Sequence, residues 1–348
     1  MSVPFWDFVY LYPNHKLYAL KIQEVYAKIK LNHYREIYKM FEFQWIFLIF
    51  GAIFGAVLGS FACCQAWRIR LKSEGKQMGN CSVCLHCGHR LSRLELIPIF
   101  SWLFLGGKCK KCKAKIGLME FFSEITMALI FASFAFRTGS LIQQILQHAG
   151  PLTVTPLIIF EVIKLLLLFA IFTIMWILLV YDKKWLELPV NLLRLVIVLS
   201  GVYFLFNLYT KYGLNLLIEI RGGQILLVKN SLRLQDIWQY LLRDFLRFLG
   251  VMLVLPGIYF VLYKFSRETL VGGGDFILLI SVAFLLGRWE LGVIELGLSN
   301  LLAAIFNYRM LKNPKNRQPF GFAPYIILAC MLTLLFQTEI LRLIFLVY

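Results

Sequence analysis

Charge is what this sequence has least of. Of its 348 residues only 16% are charged, 60% are hydrophobic, and the mean hydropathy is +0.73. A soluble globular domain is roughly a quarter charged and about half apolar. This shortage of charge excludes a single soluble domain and predicts an all-α, polytopic membrane protein.

Acidic residues are scarcer still, since 36 Lys and Arg stand against 19 Asp and Glu, for a formal net charge of +17. Such a balance could indicate a nucleic-acid partner. The basic residues, however, fall mostly in loops beside apolar stretches, where they set orientation and contact anionic lipid headgroups. We therefore expect membrane lipids, and no nucleic acid, as partners.

Features of a secretory signal peptide are also scarce, and residues 1–42 are not expected to act as one. Residues 1–42 mix aromatic side chains with charges of both signs and contain neither a compact apolar core nor a small-residue cleavage site. The sequence shows no long-period repeat and no low-complexity tract. Residues 1–44 are accordingly treated as an N-terminal extension of unassigned role.

Eight stretches are apolar over roughly 17–25 residues, the length that a membrane-spanning helix needs. They are 45–67, 118–137, 155–181, 190–209, 246–264, 270–287, 290–307 and 324–347. The region 270–307 is the least regular, because Arg288 and Glu290 divide it into two short stretches. The pattern predicts about eight transmembrane helices.

The loops between these stretches differ sharply in positive charge. Loop 68–117 contains eleven Lys and Arg residues against two Glu, whereas the next loop, 138–154, contains no Lys or Arg. The positive-inside rule places loop 68–117 in the cytoplasm. The end of stretch 155–181 and the start of 270–287 then fall at the cytoplasmic face. Segments 1–44 and 210–244 fit the rule less well, as long segments often do.

Segment 210–244 has the character of an insertion with its own local structure. Residues 218–221 alternate apolar and polar side chains, Gly222-Gly223 is typical of a tight turn, and 224–228 are mostly apolar, which together predict a small hairpin. Residues 231–244 predict an amphipathic helix lying on the surface.

Four of the eight cysteines form two CxxC pairs in the basic loop, 21 residues apart. They are Cys84, Cys87, Cys109 and Cys112. A two-residue gap lets both sulfurs of a pair reach one ion, and four thiolates close a tetrahedral site, as in structural zinc centres. A cytosolic loop keeps thiols reduced, which disfavours disulfides. We expect a structural zinc ion rather than a catalytic one, because four sulfurs leave no open position for a substrate.

Other side chains near these pairs leave alternatives open. Cys81 repeats the CxxC spacing upstream and could replace Cys84 or Cys87, and His86 and His89 could also serve as ligands. The remaining cysteines lie inside apolar stretches, where they are expected to act as small apolar side chains. These are Cys63, Cys64 and Cys330.

Two aspartates stand at the ends of apolar stretches, where charge is costly and usually functional. Asp182 ends the stretch 155–181, and Asp275 follows Gly272, Gly273 and Gly274. Taken singly, Asp275 could be a helix N-cap, and Asp182 an interfacial charge paired with Lys183 or Lys184.

At matching depth, the two carboxylates instead predict an aspartyl-protease dyad. Two adjacent carboxyl groups share one proton, so the ionised group can take a proton from water while the protonated group activates the scissile carbonyl. Gly272 to Gly274 remove side-chain bulk beside Asp275. We expect Asp182 and Asp275 to be the catalytic residues.

Several motifs, in their order and spacing, resemble those of the type IV prepilin peptidases, which are intramembrane aspartyl proteases of the GxGD class. The similarity covers roughly 45–330. It rests on Gly59-Ser60-Phe61 with Arg68, Ile97 to Leu103, Gly107-Lys108-Cys109, Glu124, Asp182 with Pro189, Gly272 to Asp275, and Pro319-Phe320-Gly321.

The resemblance implies a bacterial inner-membrane enzyme that cleaves the leaders of prepilins and pseudopilins at the cytoplasmic face. It implies two domains: 45–137, which contains the zinc loop 68–117, and the peptidase domain 155–348, which contains the insertion 210–244. Many members also methylate the new N-terminus with S-adenosylmethionine, and the cysteine-bearing domain is implicated in that step.

The sequence departs from the family pattern at three positions. Val190 stands where members often have Asp or Asn, Ile277 where Lys is frequent, and Cys63 where Asn is common. These departures support a second hypothesis, in which the protein is a non-catalytic zinc-ribbon scaffold for pilus or secretion machinery. A transporter with a carboxylate proton relay and a presenilin-like protease are further alternatives, but neither explains the paired CxxC loop.

Overall fold

The structure is a computed structural model. It describes residues 43–76, 82–84, 86–148, 151–214, 219–221, 224–226, 234–266, 272–308 and 320–346. Nearly all of the predicted extension 1–44, together with Cys81 and Pro319, lies outside these residues. The described chain is all-α except for one short hairpin, which confirms the predicted fold class.

Eleven α-helices and two strands follow one another in the described chain. They are α1 (Phe43–Ser73), α2 (Phe100–Phe104), α3 (Leu118–His148), α4 (Pro151–Trp185), α5 (Val190–Leu208), β1 (Glu219–Arg221), β2 (Gln224–Leu226), α6 (Leu234–Met252), α7 (Ile258–Ser266), α8 (Gly273–Leu286), α9 (Trp289–Phe306), α10 (Ala323–Leu335) and α11 (Gln337–Leu346). A short 3₁₀ turn covers Leu94–Leu96, and π-helical turns cover Tyr209–Leu214 and Leu253–Gly257.

Six helical segments within the described chain are long and apolar enough to cross a membrane, or seven if α10 and α11, bent by 72°, form one span. This is fewer than the eight predicted stretches. One difference is 324–347, which counts as a span only if the bent pair α10 and α11 forms one. The other is 270–287, where helix α8 has only 14 residues. At 1.5 Å per residue it is about 21 Å long, short of the roughly 30 Å hydrocarbon core. The molecule is a polytopic membrane protein.

Helices α1 and α3 pack backbone to backbone along a stripe of small residues. Gly51, Gly55 and Gly59 stand four residues apart on α1. A Cβ atom on any of them would come within 3.0 Å of a backbone carbonyl oxygen on α3. In a bilayer, where apolar burial gives little drive for helix association, such close approach supplies the packing energy. The stripe fixes α1 against α3 and so anchors the cysteine loop that joins them.

Helix α4 runs through the centre of the bundle. Its rings contact α3 closely, as in the stacked pair Phe131 and Phe169 with centroids 4.0 Å apart. Phe172, Met175 and Leu178 on the same helix are fully enclosed. Because α4 is held on several sides, its C-terminal end, which carries Asp182, has a fixed position.

The region 210–244 contains the predicted hairpin. Strands β1 and β2 are antiparallel, with Glu219 opposite Leu226 and Arg221 opposite Gln224, so two residues connect them. The predicted surface helix 231–244 is not a separate element. Helix α6 continues through the turn at Pro256 into α7, and the segment Trp238–Phe265 forms one span candidate. No helix breaker stands between 244 and 246, so the amphipathic and apolar parts form one helix.

Candidate active site

Asp182 lies in the last turn of α4 and is only 5% exposed. The helix stops three residues later, where Leu186 takes a left-handed backbone conformation (φ 56°) and donates its N–H to the Asp182 carbonyl at 2.9 Å. Pro189 then holds extended dihedrals and caps the start of α5. The segment between Asp182 and Pro189 therefore forms a tight reversal at one end of the bundle.

Asp275 lies in the first turn of α8 and is 7% exposed. The N-cap residue is Gly272, whose N–H donates to Asp275 Oδ2 at 3.3 Å. Asp275 is therefore the third helical residue and not the N-cap residue, but its carboxylate accepts the N–H of the N-cap residue and so contributes to capping. A negative charge in this turn is favourable because the helix dipole is positive there.

The first turn of α8 packs against the reversal that follows Asp182. A Cβ atom on Gly274 would stand 2.7 Å from Leu188 Cδ1, so only glycine allows this approach. Gly273 packs on the ring of Tyr263, with 3.3 Å between its Cβ position and the ring. The glycines thus bring two parts of the chain together, and the two carboxyl groups lie within electrostatic reach of each other.

A third segment, 320–323, completes the junction. Gly321 lies directly beneath the Asp182 carboxylate, so that a Cβ atom there would overlap Oδ2. The backbone N–H of Ala323 lies close enough to the same carboxylate to stabilise its ionised form. Phe320 is 39% exposed and lies at the edge of the junction, 6.1 Å from the ring of Tyr325.

The surroundings of Asp182 bear on its expected pairing with Lys183 or Lys184. Lys183 is close enough to interact with Asp182 electrostatically, although no ion pair joins them within the described residues. Lys184 does not pair with Asp182, because Lys184 binds Glu120 at 3.2 Å and lies 4.5 Å above the ring of Trp67. Within the described residues, Asp182 Oδ2 is buried and has no hydrogen-bond partner. A buried oxygen of this kind is free to bind a water molecule or a substrate atom.

The sequence pointed to both aspartates but not to the side chains that join them. Leu188 and Ala323 carry no chemistry that marks them, and their roles depend on backbone position. The ion pair between Arg70 and Glu187, 3.1 Å, likewise joins residues 117 positions apart. It ties the end of α1 to the reversal after Asp182.

The four predicted cysteine ligands come together in the loop between α1 and α3. The Sγ atoms of Cys84, Cys87, Cys109 and Cys112 all lie within 4.8 Å of one another. Cys84 Sγ and Cys112 Sγ are 3.8 Å apart. A tetrahedral ion with sulfur ligands at about 2.3 Å requires sulfur–sulfur edges of about 3.8 Å. The four thiols therefore fit a closed metal site.

Each CxxC pair is held by the same backbone turn. The N–H of Cys84 donates to a carbonyl five residues later at 2.8 Å, and that of Cys109 does the same at 2.8 Å. The fourth residue after the first cysteine of each pair has a left-handed backbone, with φ 66° at Gly88 and 58° at Lys113. The two CxxC pairs therefore have the same backbone turn, as expected when each pair forms one half of a metal site.

The electrostatics of the loop favour thiolate at one ligand. The backbone N–H groups of Cys112 and Lys111 lower the pKa of Cys109 to about 6. Of the alternative ligands, His86 is outside the cluster, and His89 lies 3.5 Å from Glu95 instead. The described residues therefore favour the four cysteines as the ligand set.

A comparison with family models finds a match for the region that contains the cysteine site. Residues 53–138 match the Bacterial Peptidase A24 N-terminal domain. The match runs from α1 through the cysteine loop and most of α3. No solved structure matches the chain.

Curated relatives extend the similarity further along the chain. A prepilin leader peptidase/N-methyltransferase of Dichelobacter nodosus is 26% identical over 262 residues, 74% of this chain and 72% of that protein. The protein of the same name from Aeromonas salmonicida (strain A449) is 29% identical over 266 residues, 75% of this chain and 73% of its own. One from Bacillus subtilis (strain 168) is 40% identical over 87 residues, 25% of this chain and 34% of its own.

These matches agree with the family motifs found in the sequence. Residues 53–138 are similar to the bacterial peptidase A24 N-terminal domain, and the resemblance of the chain to the prepilin peptidase family is confirmed.

Proposed function

We propose that this protein is an intramembrane aspartyl endopeptidase that removes the leaders of type IV prepilins or pseudopilins. The observation that carries the proposal is that Asp182 and Asp275 are both buried at one junction, where Gly274 beside Asp275 packs on Leu188 and Gly321 packs on the Asp182 carboxylate. The names of the relatives support prepilins as the substrate class. Gly272 to Gly274, Pro189, Gly321 and Phe320 are proposed to support the site, as is Pro319, which lies outside the described residues.

The proposed chemistry needs one ionised and one protonated carboxyl group. Two adjacent carboxyl groups share a proton, because ionising both in a buried site is costly. Asp182 Oδ2, which has no partner among the described residues, would accept a proton from the attacking water. The protonated group would donate to the scissile carbonyl oxygen, and the proton from water would pass to the leaving amine.

The face of the membrane follows from charge. The Asp182 reversal and the basic cysteine loop lie at the same end of the bundle, joined by Arg70–Glu187 and Lys184–Glu120. The eleven Lys and Arg of loop 68–117 favour the cytoplasmic side. We propose that cleavage occurs at the cytoplasmic face of the bacterial inner membrane, and that zinc held by the four cysteines has a structural role.

A cavity beside the cysteine site supports a second activity, methylation of the new N-terminus. It has a volume of about 830 Å³, within the range of small-molecule sites, and lies between the cysteine loop, α1 and α3. Four polar atoms of its lining residues are buried without a hydrogen-bond partner in the described chain. They are Trp67 Nε1, Trp102 Nε1, Glu95 Oε1 and Glu120 Oε2.

The lining combines aromatic and carboxylate groups, which suit an organic cation, with lysine side chains, which suit a carboxylate. We propose that this cavity holds S-adenosylmethionine, which carries charges of both signs and supplies an electrophilic methyl group when bound. Its proposed contacts are the atoms that Lys184 leaves without a partner in the described chain, Trp67 Nε1, Trp102 Nε1 and Glu120 Oε2. Equilibrium dialysis with labelled S-adenosylmethionine tests the assignment. Wild type should bind it, and Trp102→Leu should weaken binding at least about tenfold. Equal binding by both proteins would contradict the location.

The peptidase proposal is tested in a bacterial strain that lacks its own prepilin peptidase. Wild type and the variants Asp182→Asn, Asp275→Asn and Glu339→Gln would be expressed together with a prepilin, whose processing is followed by gel mobility. Glu339 is the control because its side chain is 51% exposed and pairs with Arg137. Wild type and Glu339→Gln should process the prepilin, whereas the two Asp variants should not. Pilus assembly supported by both Asp variants without processing would favour the scaffold hypothesis.

A further inference from the structure

Gly321 lies beneath the Asp182 carboxylate, in a segment that belongs to no helix or strand. Residues 320–322 form this segment, and helix α10 begins at Ala323. Gly321 contacts the carboxylate so closely that a Cβ atom would overlap Oδ2. Since the segment has no regular secondary structure to hold it, its position depends on the side chains on either side of Gly321. The contacts that fix those side chains therefore also fix one wall of the Asp182 site.

The ring of Tyr325, in the first turn of α10, contacts the rings on both sides of Gly321. Its centroid lies 6.1 Å from that of Phe320, with 75° between the planes, and 6.1 Å from that of Phe322, with 61° between them. Edge-to-face pairs at this separation are favourable. Tyr325 is only 3% exposed and is also stacked on Phe306 of α9, 6.2 Å away. The Tyr325 ring is therefore held in place itself and holds both neighbours of Gly321.

Helix α9 fixes the hydroxyl group of Tyr325 as well. Asn307, directly after the last residue of α9, donates from Nδ2 to the Tyr325 hydroxyl at 2.8 Å and to the Ala303 carbonyl at 2.8 Å. These two bonds use both hydrogens of the amide, so its orientation is fixed. Asn307 is 4% exposed, and a hydrogen bond is stronger where water is excluded. Tyr325 is thus anchored to α9 both by its ring and by its hydroxyl group.

We propose that Tyr325, anchored by Asn307, positions Asp182 through the segment 320–322. This inference rests on the proposed peptidase function. The contacts run from the end of α9 to the Tyr325 hydroxyl, from its ring to the two rings beside Gly321, and from Gly321 to the carboxylate. Tyr325 and Asn307 are positioning residues, because both are buried and act on Asp182 only through this segment.

A positioning role and a merely structural role differ in their effect on kinetics. If the pair only stabilised the bundle, its loss would lower Tm and the amount of folded protein, and the folded fraction would cleave at the wild-type rate. Displacement of 320–322 instead lowers kcat of the folded enzyme, because a small misplacement of a catalytic group costs up to about a hundredfold in rate. KM changes little, since the pair does not bind the substrate.

The test measures kcat and KM for a prepilin peptide in detergent, per folded enzyme as judged by chromatography. Tyr325→Phe and Asn307→Leu should each lower kcat about fivefold and change KM less than about twofold, because each leaves a buried polar group unpaired and loosens the anchor. The double variant should lose no more than either single variant, because the two residues act as one unit. Tyr325→Leu, which also removes the ring contacts, should lower kcat about a hundredfold.

Tyr203 provides the matched control. Its hydroxyl group interacts with another asparagine side chain, Asn207, and Tyr203 lies about 20 Å along α5 from Pro189. In their folded fractions, Tyr203→Phe and Tyr203→Leu should keep kcat within about twofold of wild type, because neither residue of this pair contacts 320–322.

Wild-type kcat in Tyr325→Phe would overturn the inference even if Tyr325→Leu fails to fold. A kcat for Tyr325→Leu as high as that of Tyr203→Leu would overturn it too, as would losses that multiply in the double variant. A rise in KM at constant kcat would also overturn it, since this would indicate substrate binding and not positioning. Absence of cleavage by wild type would instead count against the proposed function itself.

Discussion

Two glycines beside the carboxylate pair have opposite tolerances for a side chain. Gly321 underlies the Asp182 carboxylate so closely that a Cβ atom would overlap it. Gly272 has ordinary dihedrals (φ −72°), and its Cβ position is 3.4 Å from Asp275 Oδ2, an ordinary contact. The geometry therefore separates Gly321, where the site requires the absence of a side chain, from Gly272, which contributes a backbone N–H that alanine also supplies.

Gly321→Ala should lower leader cleavage at least about a hundredfold, because Asp182 must leave its position and misplaced catalytic groups lose this much. Gly272→Ala should keep most of the activity and serves as the matched control. Both are checked by cleavage of a prepilin peptide after folding is confirmed by chromatography. Equal activity of the two variants would show that the packing around Asp182 is not required.

At the cysteine site, one lysine stands where its twin turn has glycine. Lys113 has φ 58°, whereas Gly88 has φ 66° in the equivalent position. A left-handed backbone costs a non-glycine residue about 1 kcal/mol. Lys113→Gly should therefore make the loop more resistant to a chelator, seen as slower zinc release.

The reverse change, Gly88→Ala, should speed zinc release. No heavy atom lies within 4 Å of the Cβ position at Gly88, so the effect there is backbone strain alone. If Lys113→Gly releases zinc faster than wild type, the strain assignment is wrong.

At the residue scale, residues with a distinctive chemical type could be predicted from the sequence, whereas residues that matter through their contacts could not. Asp182, Asp275 and the four cysteines were identified because their types are costly or reactive in their context. Leu188 and Ala323 were not, because a leucine and an alanine in an apolar chain carry no signal.

Among the elements, the pair α1 and α3 depends most on small side chains. Gly55 on α1 faces a backbone carbonyl on α3, and the space for a Cβ atom there is less than 3.0 Å. Gly201 on α5 has nothing within 4 Å of its Cβ position. Substitutions at Gly55 and Gly201 therefore distinguish the effect of helix–helix packing on stability from the effect of helix propensity.

Gly55→Ala should destabilise the protein by about 1–3 kcal/mol, because the helices must move apart. Gly201→Ala should be neutral or stabilise by up to about 1 kcal/mol, because alanine is the better helix former. Thermal unfolding in detergent measures both. A Tm for Gly55→Ala at or above that of wild type would contradict the close packing of α1 and α3.

Hydropathy predicted the positions of most spans but not their lengths. The stretch 270–287 is apolar throughout, yet α8 begins only at Gly273 and ends at a left-handed Gly287. The surface helix predicted at 231–244 and the span predicted at 246–264 are parts of one helix. Apolar composition marks membrane depth, whereas helix ends depend on backbone conformation, which composition does not encode.

On the scale of the whole molecule, the cysteine loop and the carboxylate junction are mechanically connected. Lys184 and Glu187, on either side of the α4 end, bind Glu120 and Arg70 on the helices that flank the loop. These ion pairs are partly exposed and individually weak. The metal site is therefore expected to organise the loop without deciding the fold of the membrane bundle.

Cys84→Ser and Cys109→Ser should each reduce bound zinc from about one ion per chain to near zero, because a closed four-sulfur site needs all its ligands. Cys330→Ser, in the bundle interior, should keep zinc. Metal analysis of purified protein checks this. Full zinc content in both ligand variants would contradict the metal assignment.

The domain boundaries and the roles of 1–44 and 210–244 stay predictions. The described hairpin shows that part of the insertion has regular structure. Lys211 and Asp244, near the two ends of the insertion, form an ion pair.

The most direct test of the central claim is the mass of a prepilin peptide after incubation with purified, zinc-loaded protein in detergent. Wild type should release the leader, and a gain of one methyl group on the mature peptide with S-adenosylmethionine would establish the second activity. Asp182→Asn and Asp275→Asn, folded and loaded alike, should leave the peptide intact. Cleavage by either Asp variant at the wild-type rate, or an intact peptide with wild type across several prepilins, would contradict the account.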